Sequence, residues 1–167
     1  RTIRSVFKRC IVEQSGHLRL EGHSETGRRG MGATLVLVLV HNSRAYVGNL
    51  GDSRVYLLRA GRLRQLSRDH SVIAELLEQG RIEPEEAPHH AAQGQITHYV
   101  GMEEAPAPHV RSLALRNRDR LLLCTDGLTD MLPDETTGRV LAEEPDPHAA
   151  CRRLVESANE AGGYDNI

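Results

Sequence analysis

The sequence Leu121-Leu122-Leu123-Cys124-Thr125-Asp126-Gly127-Leu128-Thr129-Asp130 decides how this chain is interpreted. Its short apolar run ends abruptly at polar residues, which is typical of a buried strand. The carboxylate of Asp126 would then stand at the end of that strand, supported by the core. Gly127 allows the backbone to turn there because it has no Cβ. A carboxylate that is held in this way is suited to binding a metal ion.

Two more aspartates occur in similar settings. Asp52 follows the apolar segment Val47–Leu50 and a glycine. Asp165 lies two residues after Gly163. For any one of these aspartates an ordinary turn is the simpler interpretation, because Gly-Asp and Asp-Gly are common turn dipeptides. Only the three aspartates together, with their neighbouring residues, indicate a chemically active site.

The composition is ordinary for a globular protein. The 167 residues suffice for a substantial core, and we expect residues 1–167 to form one domain. Hydrophobic residues make up 39% of the chain and aromatic residues only 3%, so aliphatic side chains must fill that core. The formal net charge of −2 argues against a nucleic-acid partner bound through a broad basic surface.

The cysteines and the longest apolar run bear on the compartment. Cys10, Cys124 and Cys151 form no CxxC pair, and their odd number does not fit a disulfide framework. Unpaired cysteines are usual in a reducing compartment, so we predict a cytoplasmic protein. The longest apolar run, Leu35–Val40, is too short to span a membrane, and no secretory signal is visible.

The first half of the chain is predicted to hold a helix and a strand meander. Apolar residues at a helical spacing predict an N-terminal helix that ends near Ser15-Gly16. An exposed loop then runs to Gly30, with Arg28-Arg29 in solvent. Four strands follow, and their short connections predict antiparallel neighbours. The predicted strands are Thr34–Val40, Arg44–Leu50, Arg54–Arg59 and Arg62–Leu66.

The second half is predicted to hold a flap, a hairpin and helices. Ser71 caps a short helix, and a long polar excursion to Gln95 predicts a flap, in which His89-His90 face solvent. Antiparallel strands with helices in separate runs indicate an α+β fold. The predicted elements are a hairpin of Val110–Leu115 and Leu121–Thr125, helices opening at Pro133 and Pro147, and the start of a strand at Asp165–Ile167.

Asp52, Asp126 and Asp165 offer hard oxygen ligands without histidine or cysteine at metal-ligand spacing. Such ligands favour Mg²⁺ or Mn²⁺ over Zn²⁺. A metal-bound water becomes a nucleophile near neutral pH, and two metals about 3.5–4 Å apart can hold both oxygens of a phosphoryl displacement. Metal-assisted phosphate hydrolysis is therefore the leading reaction class.

Two alternatives lack their sequence motifs. A structural calcium loop requires the pattern D-x-[DN]-x-[DN]-G, which the chain does not contain. A serine hydrolase requires a G-x-S-x-G elbow, and Gly51-Asp52-Ser53 does not provide one.

Five stretches together resemble the protein phosphatase 2C family of metal-dependent Ser/Thr phosphatases, and its bacterial branch in particular. Their order and spacing match the family from about residue 30 onward, which is more specific than a single motif. The stretches are Gly30–Thr34, Val47–Arg54, Leu66–Ser71, Leu122–Asp130 and Gly163–Ile167.

The resemblance implies a fold and a site. The fold would be an antiparallel β-sandwich flanked by helices, in four layers α-β-β-α. Asp126 and Asp165 would be the catalytic ligands of paired Mg²⁺ or Mn²⁺ ions, and Gly127 would belong to the same metal site. Asp52 would help to hold a third ion. Asp69 and His70 would stand at the start of the flap.

The resemblance also implies an activity and partners. The family hydrolyses phosphoserine and phosphothreonine on proteins with a metal-bridging water and without a phosphoenzyme. The implied partners are phosphorylated proteins, the substrates of bacterial Ser/Thr kinases, with no nucleic acid and no membrane segment in this chain.

One part of the family pattern has no counterpart in residues 1–29. The family carries an upstream arginine that grips phosphate, a Glu-Asp pair, and an Asp-Gly-x-Gly-Gly-His stretch. We therefore expect a piece of a longer phosphatase, truncated at both ends so that the sandwich is incomplete, and inactive by itself. The alternative is a catalytically inactive phosphatase-like domain that serves as a binding or regulatory module.

Overall fold

The structure, a computed structural model, describes residues 2–23 and 30–167. Its strands are β1 (Leu35–His41), β2 (Arg44–Leu50), β3 (Arg54–Arg59), β4 (Arg62–Gln65), β5 (His109–Ala114) and β6 (Arg120–Cys124). Its helices are α1 (Ile3–Gly22), α2 (Val72–Glu78), α3 (Asp126–Thr129), α4 (Asp134–Glu143) and α5 (Pro147–Glu160), with a 3-10 turn at Ala87–His89. The predicted α+β class is confirmed. No described helix is both long and apolar enough to cross a lipid bilayer.

The strands of the described ranges form two antiparallel sheets with three strands each. The first sheet has the order β1-β2-β5 and the second has the order β4-β3-β6. The central strands, β2 and β3, carry buried side chains on both faces. Successive side chains of a strand point to opposite faces, so each central strand contributes to two apolar layers.

The structure has four layers of secondary structure, and apolar side chains fill the three spaces between them. One layer lies between the two sheets, one between α1 and the first sheet, and one between the second sheet and helices α3 to α5. Val47 and Val55 lie in the layer between the sheets, and Ile11 and Leu50 lie in the layer beneath α1. Leu58 and Leu154 lie in the layer beneath helices α3 to α5. The order of layers is therefore α-β-β-α, as the resemblance implied.

Two short connections cross between the sheets. The chain passes from β2 in the first sheet to β3 in the second through residues 51–53, and from β5 to β6 through residues 115–119. The predicted pairing of β2 with β3, and the predicted hairpin of β5 with β6, were therefore wrong. A short connection also fits an arch between stacked sheets when both strands have two apolar faces. The first arch places Asp52 at the boundary between the sheets.

The N-terminal helix is longer than the sequence indicated. Its predicted end at Ser15-Gly16 was wrong, because α1 continues to Gly22. Ser15 is buried, and its Oγ accepts a hydrogen bond of 2.9 Å from the Gly101 N–H. This tertiary contact offsets the helix penalty of Gly16, about 1 kcal/mol relative to alanine.

Two other predictions concern Arg28-Arg29 and the last three residues of the chain. The predicted position of Arg28-Arg29 in solvent lies outside the described residues. Residues 165–167 form no strand, although the start of one was predicted there.

The second arch is fastened by one ion pair. Arg59, at the end of β3, donates through Nε and a terminal nitrogen to both carboxylate oxygens of Asp119, at 2.8 and 2.6 Å. The same guanidinium donates to the Ala114 carbonyl of β5 at 2.8 Å. Arg59 therefore ties the two sheets together where the chain crosses between them.

Candidate active site

The arch that carries Asp52 depends on a glycine. Gly51 has a φ of +108°, and a Cβ at this position would lie 2.6 Å from the Thr34 Cγ2 atom. The adjacent Ser53 and Thr34 hydroxyls are hydrogen-bonded at 2.8 Å. Only glycine satisfies both the backbone angle and the limited space. Asp52 is therefore presented from a tightly packed backbone.

A strip of three residues, Arg68-Asp69-His70, lies against this arch. The Gly51 N–H donates to His70 Nδ1 at 3.1 Å, and the His70 N–H donates to the Gly51 carbonyl at 3.0 Å. The fully buried Asn49 donates from its side-chain amide to the Arg68 carbonyl at 2.6 Å. These bonds fix the strip beside Asp52.

Asp126 is the first residue of α3 and lies two residues after the end of β6. Its Oδ1 accepts a hydrogen bond of 3.0 Å from the Gly127 N–H. A Cβ on Gly127 would overlap the Asn166 carbonyl oxygen and lie 3.0 Å from its carbon. Gly127 is therefore required for this close approach, and the backbone turn that we had expected from it is not the reason.

Two further carboxylates lie close to Asp126. The Asp130 N–H donates to the Asp126 carbonyl at 2.8 Å, which puts Asp130 one helical turn further along. Asp165 precedes Asn166 in the segment that packs on Gly127. Its negative charge contributes, after burial and the charge of Asp126, to raising the pKa of Asp130.

A cavity of about 300 Å³ opens at these carboxylates. Four acids line one wall, and side chains of the segment that follows the strip line the other. The acids are Asp52, Asp69, Asp126 and Asp130. The opposite wall is formed mainly by Ile73, Ala74, Leu77, Ala87 and Pro88. The cavity is therefore strongly acidic on one side and largely apolar on the other.

The carboxylates in this cavity repel one another. Burial, followed by the charge of Asp126, raises the pKa of Asp52 above its ordinary value. Burial, again followed by the charge of Asp126, raises the pKa of Asp130. Apart from burial, both shifts come mainly from a neighbouring carboxylate, so negative charges crowd this part of the cavity although Arg54 also lines it. A divalent cation would balance these charges.

Asp69 differs from the other acids because its charge is already balanced. Arg54 donates from Nε to Asp69 Oδ2 at 2.8 Å, and Gln65 donates to Oδ1 at 2.7 Å. Arg54 also donates to the Tyr56 hydroxyl, which in turn donates to Asp134 at 2.8 Å. Asp69 is therefore a positioning group of the cavity wall.

The donor set fits a hard divalent cation. The unbalanced groups are all carboxylates, and oxygen ligands are those that Mg²⁺ and Mn²⁺ prefer. No three histidine, cysteine or acidic side chains of the described ranges are already arranged as a metal-holding group. Mg²⁺ needs fewer, because it commonly keeps several waters and takes one or two protein carboxylates.

The chain also matches a known protein family over most of its length. The family model for protein phosphatase 2C matches residues 6–167. This chain belongs to the protein phosphatase 2C family. The resemblance inferred from the five sequence stretches is thereby confirmed.

Bacterial phosphatases are among the relatives of this chain in the phosphatase 2C family. The serine/threonine phosphatase stp of Listeria welshimeri is 34% identical over 165 residues, covering 99% of this chain and 66% of the relative. The serine/threonine phosphatase of S. agalactiae superposes with a TM-score of 0.91 at 30% identity, covering 98% of this chain and 67% of that one. This chain thus spans about two thirds of the length of these relatives.

One solved phosphatase 2C structure bears on the metal. The catalytic domain of the serine/threonine phosphatase PstP, in complex with two manganese ions, superposes with a TM-score of 0.87 at 33% identity. That match covers 99% of this chain and 68% of the PstP chain. Manganese binding by this relative agrees with the hard-cation chemistry of the donor set here.

Within the phosphatase 2C fold, the predicted site residues divide into two groups. Asp52, Asp126 and Asp69 line the acidic cavity, whereas Asp165 is exposed and is not among the residues that line it. His70 does not line this cavity and faces a different one, described below. The ligand roles of these residues remain predictions.

Sequence reasoning missed two members of the cavity. Asp130 and Arg54 were quoted only as the last residues of sequence stretches and were given no role of their own. The spacing of four residues from Asp126 to Asp130 could have identified the first, because such residues share one face of a helix.

The two ends of the predicted flap, His70–Gln95, are held together by backbone hydrogen bonds. The Val72 N–H donates to the Gln95 carbonyl at 2.9 Å, and the Thr97 N–H donates to the His70 carbonyl at 2.8 Å. Within this excursion, α2 and the 3-10 turn form the apolar wall of the cavity. Of the two adjacent histidines, His89 is exposed and His90 is half-buried.

Proposed function

We propose that this chain is the larger part of a metal-dependent protein phosphatase that hydrolyses phosphoserine and phosphothreonine. The observation that carries the proposal is the meeting of Asp52 and Asp126 in one cavity, where their charges are unbalanced. The names of the relatives support the same activity. Since the chain spans about two thirds of their length, the activity belongs to the full-length protein.

The residues that would hold two or three Mg²⁺ or Mn²⁺ ions are Asp52, Asp126 and Asp165, with Gly127 in the same segment. Bound divalent ions supply a water of lowered pKa and neutralise phosphate charge. The chain positions these ligands rigidly, because the Gly51 arch and the contact of Gly127 with Asn166 both fix the backbone.

Other residues shape the cavity for a phosphorylated side chain. The Arg54–Asp69 ion pair holds the strip in place, so that this carboxylate adds no unbalanced charge to the wall. Ile73 and Leu77 of the flap give the opposite wall an apolar surface. An apolar wall limits water around the reacting phosphate, which strengthens the electrostatic interactions there.

The partners and the compartment are part of this proposal. Phosphoproteins are the substrates that fit a protein phosphatase, and we propose that bacterial Ser/Thr kinases produce them. The three cysteines Cys10, Cys124 and Cys151 are unpaired, which supports action in the cytoplasm.

A phosphatase assay of the full-length protein tests the proposal. Release of phosphate from a phosphothreonine peptide should require Mn²⁺ or Mg²⁺ and should stop with EDTA. Asp126→Asn should lower kcat/KM by more than the roughly 10- to 100-fold that loss of a supporting metal-site group costs. Glu156→Gln is the matched control, because this carboxylate is exposed on α5, away from the cavity.

A protein that binds the phosphopeptide but does not hydrolyse it would support the alternative function. If the folded protein bound the phosphopeptide saturably but released no phosphate with either metal, the catalytic proposal would be overturned. The inactive binding module would then be the correct interpretation. No feature of residues 2–23 and 30–167 favours that alternative.

A further inference from the structure

A second cavity lies on the other side of the Arg68-Asp69-His70 strip. It has a volume of about 490 Å³, and its walls come from the first turns of α1, the strip and the start of β5. Arg68 and His70 line this cavity, whereas Asp69 lines the acidic one. The side chains of the strip thus alternate between two cavities, as expected of an extended backbone.

The second cavity is cationic. Arg4, Lys8 and Arg68 line it together with His70 and His109, and none of the described residues around it is acidic. Its charge is therefore opposite to that of the cavity at Asp52. We call it the cationic cleft.

Within the part of the chain that the structure describes, the cations of this cleft are available to a ligand. The Lys8 side chain has no hydrogen-bond or ion-pair partner among the described residues. Arg4 uses Nε for the Val110 carbonyl, at 2.9 Å. Arg68 pairs with Glu78, but the two side chains are 56% and 49% exposed. Such an exposed pair contributes little, so Arg68 can exchange it for a ligand.

A buried amide fixes the walls of the cleft. The Asn49 Oδ1 atom accepts from the Arg68 N–H and lies 3.2 Å from His109 Nδ1. Because this oxygen only accepts, His109 must donate from Nδ1. His70 accepts at Nδ1 from the Gly51 N–H, so its proton is on Nε2 when the ring is neutral. The cleft is therefore built on the same frame that positions Asp52.

The pKa shift of His109 indicates that the electrostatic potential of the cleft is positive. The pKa of His109 is lowered, first by burial and then by the positive charges of Arg111, Arg68 and Arg4. Positive charge that disfavours a protonated imidazole also favours an anion at the same place. This observation supports the geometric argument.

We propose that the cationic cleft binds a phosphate-class oxyanion, and that in the working enzyme this is a second phosphate of a multiply phosphorylated substrate protein. The guanidinium groups of Arg4 and Arg68 match the geometry of phosphate, and Lys8 adds a compact charge. The identification of the substrate rests on the proposed function, whereas the binding of the oxyanion does not.

Binding is tested on the full-length protein without metal. Inorganic phosphate is titrated in the presence of EDTA, and backbone amide NMR shifts are followed. Saturable shifts are expected at Lys8, Arg68 and His109. The double variant Lys8→Ala/Arg68→Ala should weaken binding on the order of tenfold, because charge-assisted hydrogen bonds are lost. The backbone bonds of residue 68 survive this change.

A matched double variant controls for net charge. Arg64→Ala/Arg152→Ala removes two exposed arginines on β4 and α5 that do not line the cleft. Its phosphate affinity should stay within about twofold of the wild type, since distant surface charges are screened by salt. If no saturable shift occurred, or if both double variants bound equally, the cleft would not be an oxyanion site.

Peptides identify the source of the oxyanion. Singly phosphorylated peptides are compared with doubly phosphorylated ones in which the spacing of the two phosphates is varied. At one spacing or more, kcat/KM should favour the doubly phosphorylated peptide. The Lys8→Ala/Arg68→Ala variant should lose this ratio, and the Arg64→Ala/Arg152→Ala variant should keep it.

The remaining outcomes separate the two proposals. Phosphate binding without any preference for doubly phosphorylated peptides would overturn the substrate assignment and leave free phosphate as the ligand. If no peptide were hydrolysed, the proposed function would fail, and the phosphate titration would still decide whether the cleft binds an oxyanion.

Discussion

Gly127 and Asn166 are in backbone contact, and no side chain larger than that of glycine fits between them. A Cβ on Gly127 would overlap the Asn166 carbonyl oxygen and lie 3.0 Å from the carbonyl carbon. The Thr125 hydroxyl donates to the same carbonyl at 3.2 Å. This contact brings the segment with Asp165 next to the segment with Asp126.

Gly127→Ala should therefore separate these two segments. A backbone group cannot rotate away as a side chain does, so Asn166 must move together with Asp165. We expect the Mn²⁺ concentration for half-maximal phosphatase activity to rise about 10- to 100-fold, the range for loss of a group that orients metal ligands. Metal titration of the activity measures this change.

Gly16→Ala is the matched control for that substitution. Nothing lies within 4 Å of a Cβ at Gly16, in the interior of α1. Alanine should raise the free energy of unfolding by about 0.5–1 kcal/mol and leave the metal dependence unchanged. If Gly127→Ala showed the same metal dependence as Gly16→Ala, the contact with Asn166 would have no role in the site.

The Arg54–Asp69 pair should contribute strongly to stability. The two side chains are only 28% and 11% exposed. Asp69→Asn leaves a half-buried guanidinium without its counter-charge, which should cost about 2–3 kcal/mol of unfolding free energy. Urea denaturation measures it. The exposed pair of Arg68 and Glu78 provides the comparison, because Glu78→Gln should cost at most about 0.5 kcal/mol. Equal costs would contradict the prediction.

Asp52→Asn should stabilise the protein when metal is absent. The raised pKa of Asp52 means that its charged form is disfavoured in the folded state, first by burial and then by Asp126. At neutral pH in EDTA, the variant should gain roughly 0.5–1 kcal/mol, since solvent screens part of the repulsion. The gain should shrink as the pH falls through the raised pKa towards the ordinary value of 3.8.

Addition of Mn²⁺ should reverse this order of stability. A cation that binds only the folded protein stabilises it by mass action, and the wild type keeps the carboxylate that the variant has lost. Thermal denaturation with and without Mn²⁺ measures both effects. A variant that gained as much from Mn²⁺ as the wild type would show that Asp52 is not a ligand.

The Arg59–Asp119 pair should make stability depend on acid pH. The hydrogen bond from Arg59 is the main cause that lowers the pKa of Asp119 to about 2. A lowered pKa in the folded state means that the stabilisation is fully present above 3.8 and is lost as the pH falls through about 2. Asp119→Asn should therefore be less stable than the wild type at neutral pH, and the two should converge in strong acid. A constant difference in urea denaturation at all pH values would contradict this.

The bounds of most strands could be predicted from the sequence, but the pairing of two of them could not. β2 and β3 were found because apolar runs end at Gly51 and at Ala60-Gly61. Their assignment to different sheets depends on which faces pack together, and the length of the connection does not contain this information. The burial of both faces of these strands is the physical reason that an arch was possible.

Two of the carboxylates that line the cavity were predicted from the sequence, and the residues that support them were missed. Asp52 and Asp126 were identified from neighbouring glycines, although Gly127 proved to act through close contact with Asn166. Asp130 and Arg54 were missed because their importance comes from neighbours that are distant in sequence. His70 was expected at the start of the flap, and the strip turns its ring towards the cationic cleft.

The arch at residues 51–53 has one more consequence. Asp52 is carried by the chain where it leaves the first sheet, whereas Asp126 follows β6 of the second sheet. The two carboxylates stay together only while the sandwich is closed. Warming that loosens the layer between the sheets should thus abolish the proposed phosphatase activity before the helices melt. Loss of activity on heating would then report the loosening of the apolar layer between the two sheets.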